Sequence, residues 1–208
     1  MAFVIGLTGG IGSGKSAATA IFDELGAGIV DTDVIARELT RDGGAAMPAI
    51  RERFGPEYVA ADGSLDRARM RRLVFQDPGA KRDLEAILHP LIRAESRARI
   101  AASDRPYAIV VVPLLLETGA YRELTDRVLV VDSAEERQVE RAARRSAITE
   151  DEVRAIMAAQ LPRASRLAGA DDVLSNDGSM DELRHRVTEL HAKYLNLARQ
   201  SAAAGRQR

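Results

Sequence analysis

Four short runs of the chain are rich in apolar, β-branched residues: "FVIGL" (3–7), "AGIVD" (27–31), "YAIVVV" (107–112) and "RVLVVD" (127–132), with a weaker fifth in "DDVLS" (171–175). The middle runs are continuously apolar rather than alternating, which is the pattern of strands covered on both faces of a parallel sheet. Helical periodicity fills the stretches between them, so the order is strand, helix, strand, repeated. That order predicts an α/β fold, a parallel sheet flanked by helices.

Two connections are too long for simple crossovers. About seventy-five residues separate Asp31 from Tyr107. Within them "DPGAKRDLEAILHPLIRAESRARIAA" opens on a helix-start Asp77-Pro78 and repeats apolar residues at Leu84, Ile87, Leu88, Leu91 and Ile92. Pro90 inside that pattern is expected to kink the helix or begin a new one. The spacing predicts a mostly helical insertion over 34–100. A second insertion, 134–167, carries two helical patterns joined near "SAIT", with Thr149, Asp151 and Glu152 as cap-type residues. Residues 179–198 predict a terminal amphipathic helix with Leu183, Val187, Leu190, Tyr194 and Leu197 on one side, and "SAAAGRQR" is expected to fray. The core then comprises 1–33, 101–133 and 168–208.

Thirty basic side chains against thirty-one acidic ones give a net charge of -1, which argues against a nucleic-acid partner. Cysteine is absent, so disulfides, thiolate metal sites and cysteine nucleophiles are excluded. The longest apolar run, "AIVVVPLLL" at 108–116, is about half of a bilayer span, and no basic region precedes a hydrophobic segment at the start. The expectation is a cytoplasmic protein without a membrane partner; oligomeric state is not legible.

The chemistry begins in "GLTGGIGSGKS". Gly9 to Ser16 reads G-x-x-x-x-G-K-S after a predicted strand and before a helical pattern, the context of a P-loop. Glycines at 9, 10, 12 and 14 let the N–H groups of Gly9, Gly10, Ile11, Gly12, Ser13, Gly14 and Lys15 turn inward around phosphate, and the helix behind adds its positive end. Lys15 is placed to reach the β- and γ-phosphates and Ser16 to ligate Mg²⁺. The fold expected is therefore of the P-loop NTPase type, binding a nucleoside triphosphate.

P-loop proteins divide into GTPase switches, ATPase motors and small-molecule kinases. No N-K-x-D guanine reader exists, and "DELG" (23–26) ends a helix rather than following a strand. Asp132, closing "VLVVD", mimics the metal-binding acid of a motor, but Asp132 or Ser133 reads better as a cap for the next helix. A kinase needs an acid near the acceptor hydroxyl and arginines to neutralise the phosphoryl group. "VDTD" supplies Asp31 and Asp33 at the end of the second strand; as alternate residues of an extended segment they would point the same way, one toward Mg²⁺ and one toward a hydroxyl. Either could singly be a helix cap. Arg137, Arg141, Arg144 and Arg145 lie on one predicted helix, followed by Arg163 and Arg166; Arg141 and Arg145 share a face, and Arg144 reads as solvated.

With "VDTDVIAR", "HPLIR" (89–93), "VPLLLETG" (112–119), "QVERAARR" (138–145), "ADDVLSNDGS" (170–179) and "LHAKYLNLA" (190–198) in this order, the chain resembles the dephospho-coenzyme A kinases over residues 3–198. The resemblance implies a P-loop core, a helical substrate-binding domain and a lid. It implies transfer of the ATP γ-phosphate to the ribose 3′-hydroxyl of dephospho-coenzyme A. In it Gly12 to Ala17 bind ATP, Asp33 is the base, and His89, Arg93 and Glu117 line the acceptor site. Arg141 and Arg145 act from the lid, and Asn176 to Gly178 border the adenine. Two positions depart from the family pattern: Ala17 replaces a hydroxyl residue, and Leu116 stands where phenylalanine is frequent. A kinase of another nucleotide or metabolite, or a nucleotide-dependent switch, are the alternatives. The paired aspartates and the missing guanine reader weigh against a switch.

Overall fold

The computed structural model describes residues 2–119 and 121–205. They form two compact units, 1–30 with 100–208, and 31–99.

The first unit is built on a five-stranded sheet of β1 (Phe3–Thr8), β2 (Gly28–Asp31), β3 (Tyr107–Val111), β4 (Arg127–Asp132) and β5 (Asp172–Ser175), ordered β2-β3-β1-β4-β5. The β1–β3, β1–β4 and β4–β5 pairs are parallel, with Ile5 opposite both Ile109 and Arg127. The expected strands all form. Every residue of β3 is buried, as its unbroken apolar run requires. The chain leaves central β1 toward β2 and β3 on one side and reaches β4 and β5 on the other. The C-terminal end of β1 is thus a topological switch point, where open α/β sheets take their ligands.

The helices of this unit are α1 (Lys15–Glu24), the short α6 (Leu115–Thr118), α7 (Glu135–Ser146), α8 (Glu150–Ala158), α9 (Arg163–Ala168) and α10 (Met180–Gly205). One core joins Ile5, Leu7, Phe22, Tyr107, Ile109 and Leu129 to Leu183, Val187 and Tyr194 of α10. Tyr194 stacks on Phe22 at 6.2 Å between ring centroids and meets Tyr107 edge-on at 5.7 Å. At the sheet edge Asp172 is nearly buried and accepts from Arg127 Nε (3.0 Å), Lys193 Nζ and Tyr194 OH (3.2 Å). Burial pushes its carboxyl upward, but those two cations outweigh burial and hold it below the usual carboxylate range.

Thr149 caps α8 in a full capping box with Glu152. Two outcomes differ from expectation here. Leu115–Thr118 and Arg163–Ala168 are additional short helices, and α10 runs on through the "SAAA" expected to fray. Those alanines are strong helix formers and continue a helix already nucleated by tertiary packing. Residues 206–208, also in the stretch expected to fray, lie outside the described residues.

The second unit contains α2 (Thr32–Leu39), α3 (Met47–Phe54), a 3₁₀ turn at Pro56–Tyr58, α4 (Arg67–Gln76) and most of α5 (Pro78–Ala102). Its core is separate: Met47, Ile50, Leu65 and Met70, with Leu84, Ile87, Leu88 and Leu91 packed on it. No new helix begins at Pro90, since α5 continues through it. Pro90 removes one N–H and is itself exposed, while the apolar residues on both sides of it pack into one core and carry the helix across.

Among the described residues no helix is long and apolar enough to cross a membrane.

Candidate active site

The P-loop leaves β1 at Thr8 and enters α1 at Lys15. Gly12 and Gly14 have φ of 72° and 95°, a region that disfavours any side chain. Space demands glycine as well: a Cβ on Gly12 would stand 2.1 Å from the Gln138 carbonyl oxygen, and one on Gly14 2.0 Å from Asn176 Nδ2. The loop is therefore packed from outside by α7 and by the turn after β5. Lys15 Nζ donates to the carbonyls of Gly9 (2.7 Å) and Gly10 (3.0 Å), which sets the ammonium across the loop. Gly14 caps α1 without a side-chain acceptor, and no acidic residue occupies the first turn. The positive end of α1 is thus left to an anion. Ser16 is exposed in that turn, and Ala17, lacking the hydroxyl, donates its N–H to the Gly14 carbonyl (3.1 Å).

Around the loop lies a lattice of polar groups drawn from distant sequence. Asn176 is buried; its Nδ2 donates to the Ser13 carbonyl (2.8 Å), and its own carbonyl accepts Arg141 Nη1 (3.0 Å). Gln138 is fully buried, donates to the Ser133 carbonyl (2.6 Å), and turns its Oε1 toward Gly10. Arg166, also buried, flanks Gly10 and donates to the Leu161 carbonyl. Gln160 Oε1 accepts the Ile11 N–H (3.1 Å). Ser13 Oγ and Gln138 Oε1 are buried without a hydrogen-bond partner. Unsatisfied buried polar atoms are costly and rare, and here two of them border the phosphate loop.

Asp132 does not cap the following helix. Its carboxylate, 10% exposed, takes Arg163 in a two-pronged pair, Nε to Oδ1 at 2.9 Å and Nη2 to Oδ2 at 2.6 Å. That contact raises the Arg163 pKa above its already high value. Ala134 stands at the N-cap without a side-chain cap bond, and Asp177 Oδ1 accepts the Ala134 N–H and the Ser133 hydroxyl just ahead of the helix, both at 2.8 Å. Donation by Ala134, ahead of the opposing effect of burial, holds the Asp177 carboxyl below its usual range. Gly178 follows, where a Cβ would stand 2.0 Å from the Glu182 carboxylate that bonds back to the Ser179 N–H at the start of α10.

The row of arginines on α7 divides. Arg141 is half-buried on Asn176, while Arg137, Arg144 and Arg145 are all exposed, so shared helix face does not set Arg145 apart from Arg144 in burial. Glu117 on α6 accepts the Leu161 N–H through Oε1 (3.2 Å), and its Oε2 is buried without a hydrogen-bond partner. Leu116 beside it lies against Gly169, where a Cβ would meet it at 3.1 Å.

In the 31–99 unit, Asp31 ends β2 and Asp33 already lies in the first turn of α2. The extended geometry expected to align the two carboxylates is therefore absent. Asp31 Oδ1 accepts the N–H groups of Asp33 (2.8 Å) and Val34 (3.2 Å) and caps the helix. Asp33, His89 and Arg93 are exposed; His89 and Arg93 are four residues apart on α5 and so share a face. On the same helix Glu95 pairs with Arg99 and Glu85 with Lys81.

Sequence reasoning missed Gln138, Gln160 and the bonds of Asp177 to Ser133 and Ala134. Gln138 carried a signal: it stands four residues before Ala142 on the buried face of α7, where a polar side chain is out of place. Gln160 carried none.

The Dephospho-CoA kinase family model matches residues 3–182. A dephospho-CoA kinase of Thiobacillus denitrificans is 59% identical over 196 residues, covering 94% of this chain and 97% of that protein. Among solved structures, TT1252 from Thermus thermophilus superposes with a TM-score of 0.74 at 32% identity, over 92% of this chain and 97% of that one. The dephospho-CoA kinase from Campylobacter jejuni gives a TM-score of 0.68 at 25% identity, over 93% and 97%. With the loop, its surrounding polar lattice and a sequence match spanning nearly its whole length, the chain belongs to the dephospho-CoA kinase family.

Proposed function

We propose that the chain transfers the γ-phosphate of ATP to the ribose 3′-hydroxyl of dephospho-coenzyme A, giving coenzyme A and ADP. The observation that carries this is the P-loop itself, with Lys15 across its carbonyls at an uncapped, acid-free helix start, in a chain of this family. The loop from Gly9 to Ala17 binds the triphosphate through backbone N–H groups, and Asn176 and Gly178 serve the nucleotide. The acceptor oxygen bonds to the γ-phosphorus as the bond to the β–γ bridging oxygen breaks; Asp33 takes the hydroxyl proton. Lys15, Arg141 and Arg145 neutralise charge on the transferring group. His89, Arg93 and Glu117 serve the acceptor.

Among the described residues there is no cluster of three His, Cys, Asp or Glu side chains able to hold a metal by themselves. Mg²⁺ suits that donor set, because it is held by phosphates and water with one or two protein oxygens. The exposed Ser16 hydroxyl and the Asp31 carboxylate are the groups assigned to it. When bound, Mg²⁺ supplies charge neutralisation on the phosphate oxygens. The 34–100 segment serves as the acceptor-binding insertion, 134–167 as the lid, and the protein works in the cytoplasm.

Incubation with Mg²⁺, ATP and dephospho-coenzyme A, followed by mass analysis of the acceptor, tests the assignment. An acceptor one phosphate heavier, modified at the 3′ position, with ADP released only when acceptor is present, is the expected result. ADP release without acceptor indicates a switch; phosphorylation of adenosine or AMP in preference indicates another kinase.

A further inference from the structure

Between Gly9 and Lys15 the loop contains one large side chain, Ile11. Its two ends are held by the same segment of chain. The side chain packs on the small core that joins α7 to α8, formed by Val139, Ala142 and Val153 with Met157. The backbone N–H donates to Gln160 Oε1 at 3.1 Å, across 149 positions of sequence. An N–H can only donate, so the amide of Gln160 must present its oxygen there.

Gln160 is itself held in place. It precedes Leu161, whose N–H is taken by Glu117 and whose carbonyl is taken by Arg166. Two residues further on, Arg163 is fixed to Asp132 at the end of β4. The link between α8 and α9 is thus pinned to strand β4, to α6 and to α9, and Gln160 projects from it onto the loop. A glycine-rich loop loses much backbone entropy on ordering, and a single bulky residue anchored at both ends limits the conformations left to it.

We propose that Gln160 is a positioning residue for phosphoryl transfer, acting through Ile11: the pair clamps the phosphate loop to helices α7 and α8, so that nucleotide on the loop orders those helices. By linkage, the order of those helices in turn sets how well the loop holds nucleotide. The effect on transfer rests on the kinase assignment above, but the clamp does not.

The test measures hydrogen exchange over residues 135–158 with and without ADP and Mg²⁺, together with kcat, the KM values and the thermal midpoint. Gln160→Met keeps length and removes the acceptor. In the unmodified protein ADP slows exchange over 135–158. In Gln160→Met that protection falls, kcat drops by about tenfold, the scale of one lost hydrogen bond, and KM for ATP rises as the linkage requires. A merely structural role would instead lower the thermal midpoint and leave ADP-linked protection in place, and that result overturns the proposal. So does an unmodified protein in which ADP leaves 135–158 unprotected. If Gln160→Met does not fold, Ile11→Val and Ile11→Ala decide: protection must survive better in the valine variant, and equal protection in both overturns the clamp. Should the unmodified protein fail to phosphorylate dephospho-coenzyme A while ADP still protects the lid through Gln160, the kinase assignment falls and the clamp stands.

Discussion

The two units present their candidate site residues in opposite ways. In the unit of 1–30 and 100–208, Gln138, Arg166 and Asn176 are buried around the loop and bonded to backbone carbonyls, and buried Asp132 is paired with a partly exposed Arg163. In the unit of 31–99, the residues assigned to the acceptor, Asp33, His89 and Arg93, stand exposed on helices. A phosphate-binding loop must hold several N–H groups aimed at one point before the ligand arrives, which takes a rigid surround. A base and a pair of recognition side chains need only helical positions. The contrast teaches that damage to the first unit should cost fold and binding together, whereas damage to the second should cost chemistry alone.

Lys15→Ala tests the first half most severely. Loss of a phosphate-neutralising cation should reduce turnover by about 10³–10⁵-fold. Near-normal turnover in the folded variant would remove the loop from the reaction. Asp33→Asn tests the second half. A carboxylate acting as general base contributes about 10²–10⁴-fold, so turnover should drop on that scale while ATP affinity and the unfolding midpoint hold. A large loss of stability would break the contrast, and full rescue by extra Mg²⁺ would make Asp33 a metal ligand rather than the base.

Asp172→Asn addresses stability within the first unit. The carboxylate is 6% exposed and paired with Arg127 and Lys193, which themselves reach solvent. Removing its charge should cost about 1–3 kcal/mol, below the full penalty for breaking a deeply buried pair. Its native pKa is depressed, so its contribution is complete above the ordinary carboxylate value and is lost as pH falls through the native one. Urea unfolding at pH 7 and at pH 3 should therefore show the gap between variant and parent narrowing in acid.

The smallest effect is expected at Ala147, the residue after α7, which has φ of 52° and is the single non-glycine with positive φ among the described residues. A side chain is disfavoured there, so Ala147→Gly should stabilise by about 0.5–1 kcal/mol, read as a raised midpoint. An unchanged or lowered midpoint would show that this turn stores no strain.

Much of this molecule was legible from sequence. The five strands, the P-loop, the capping box at Thr149 and the apolar stripe of the terminal helix each depend on neighbours within a few residues. Local signals misled in three places. Pro90 offered the start of a new helix, but one helix runs through it, with apolar residues on both sides packed into one core. Asp132 looked like a cap, but Arg163 claims it, and α7 starts at Ala134 without a side-chain cap bond. "VDTD" looked extended, but a helix begins inside it because Asp31 satisfies the first N–H groups.

What the sequence by itself determined is the order of strands and helices, the phosphate loop between the first strand and its helix, and the family. These follow from hydrophobic period, glycine geometry and motif spacing, all short-range properties of the chain. Only the tertiary structure decided which side chains hold that loop. Asn176 reaches Ser13 across 163 positions, and Gln160 reaches Ile11 across 149. Such partners are chosen by the strand order, which sets β4 beside β1 and β5 beside β4, and by the burial that makes each unpaired polar group costly. No local pattern encodes that choice.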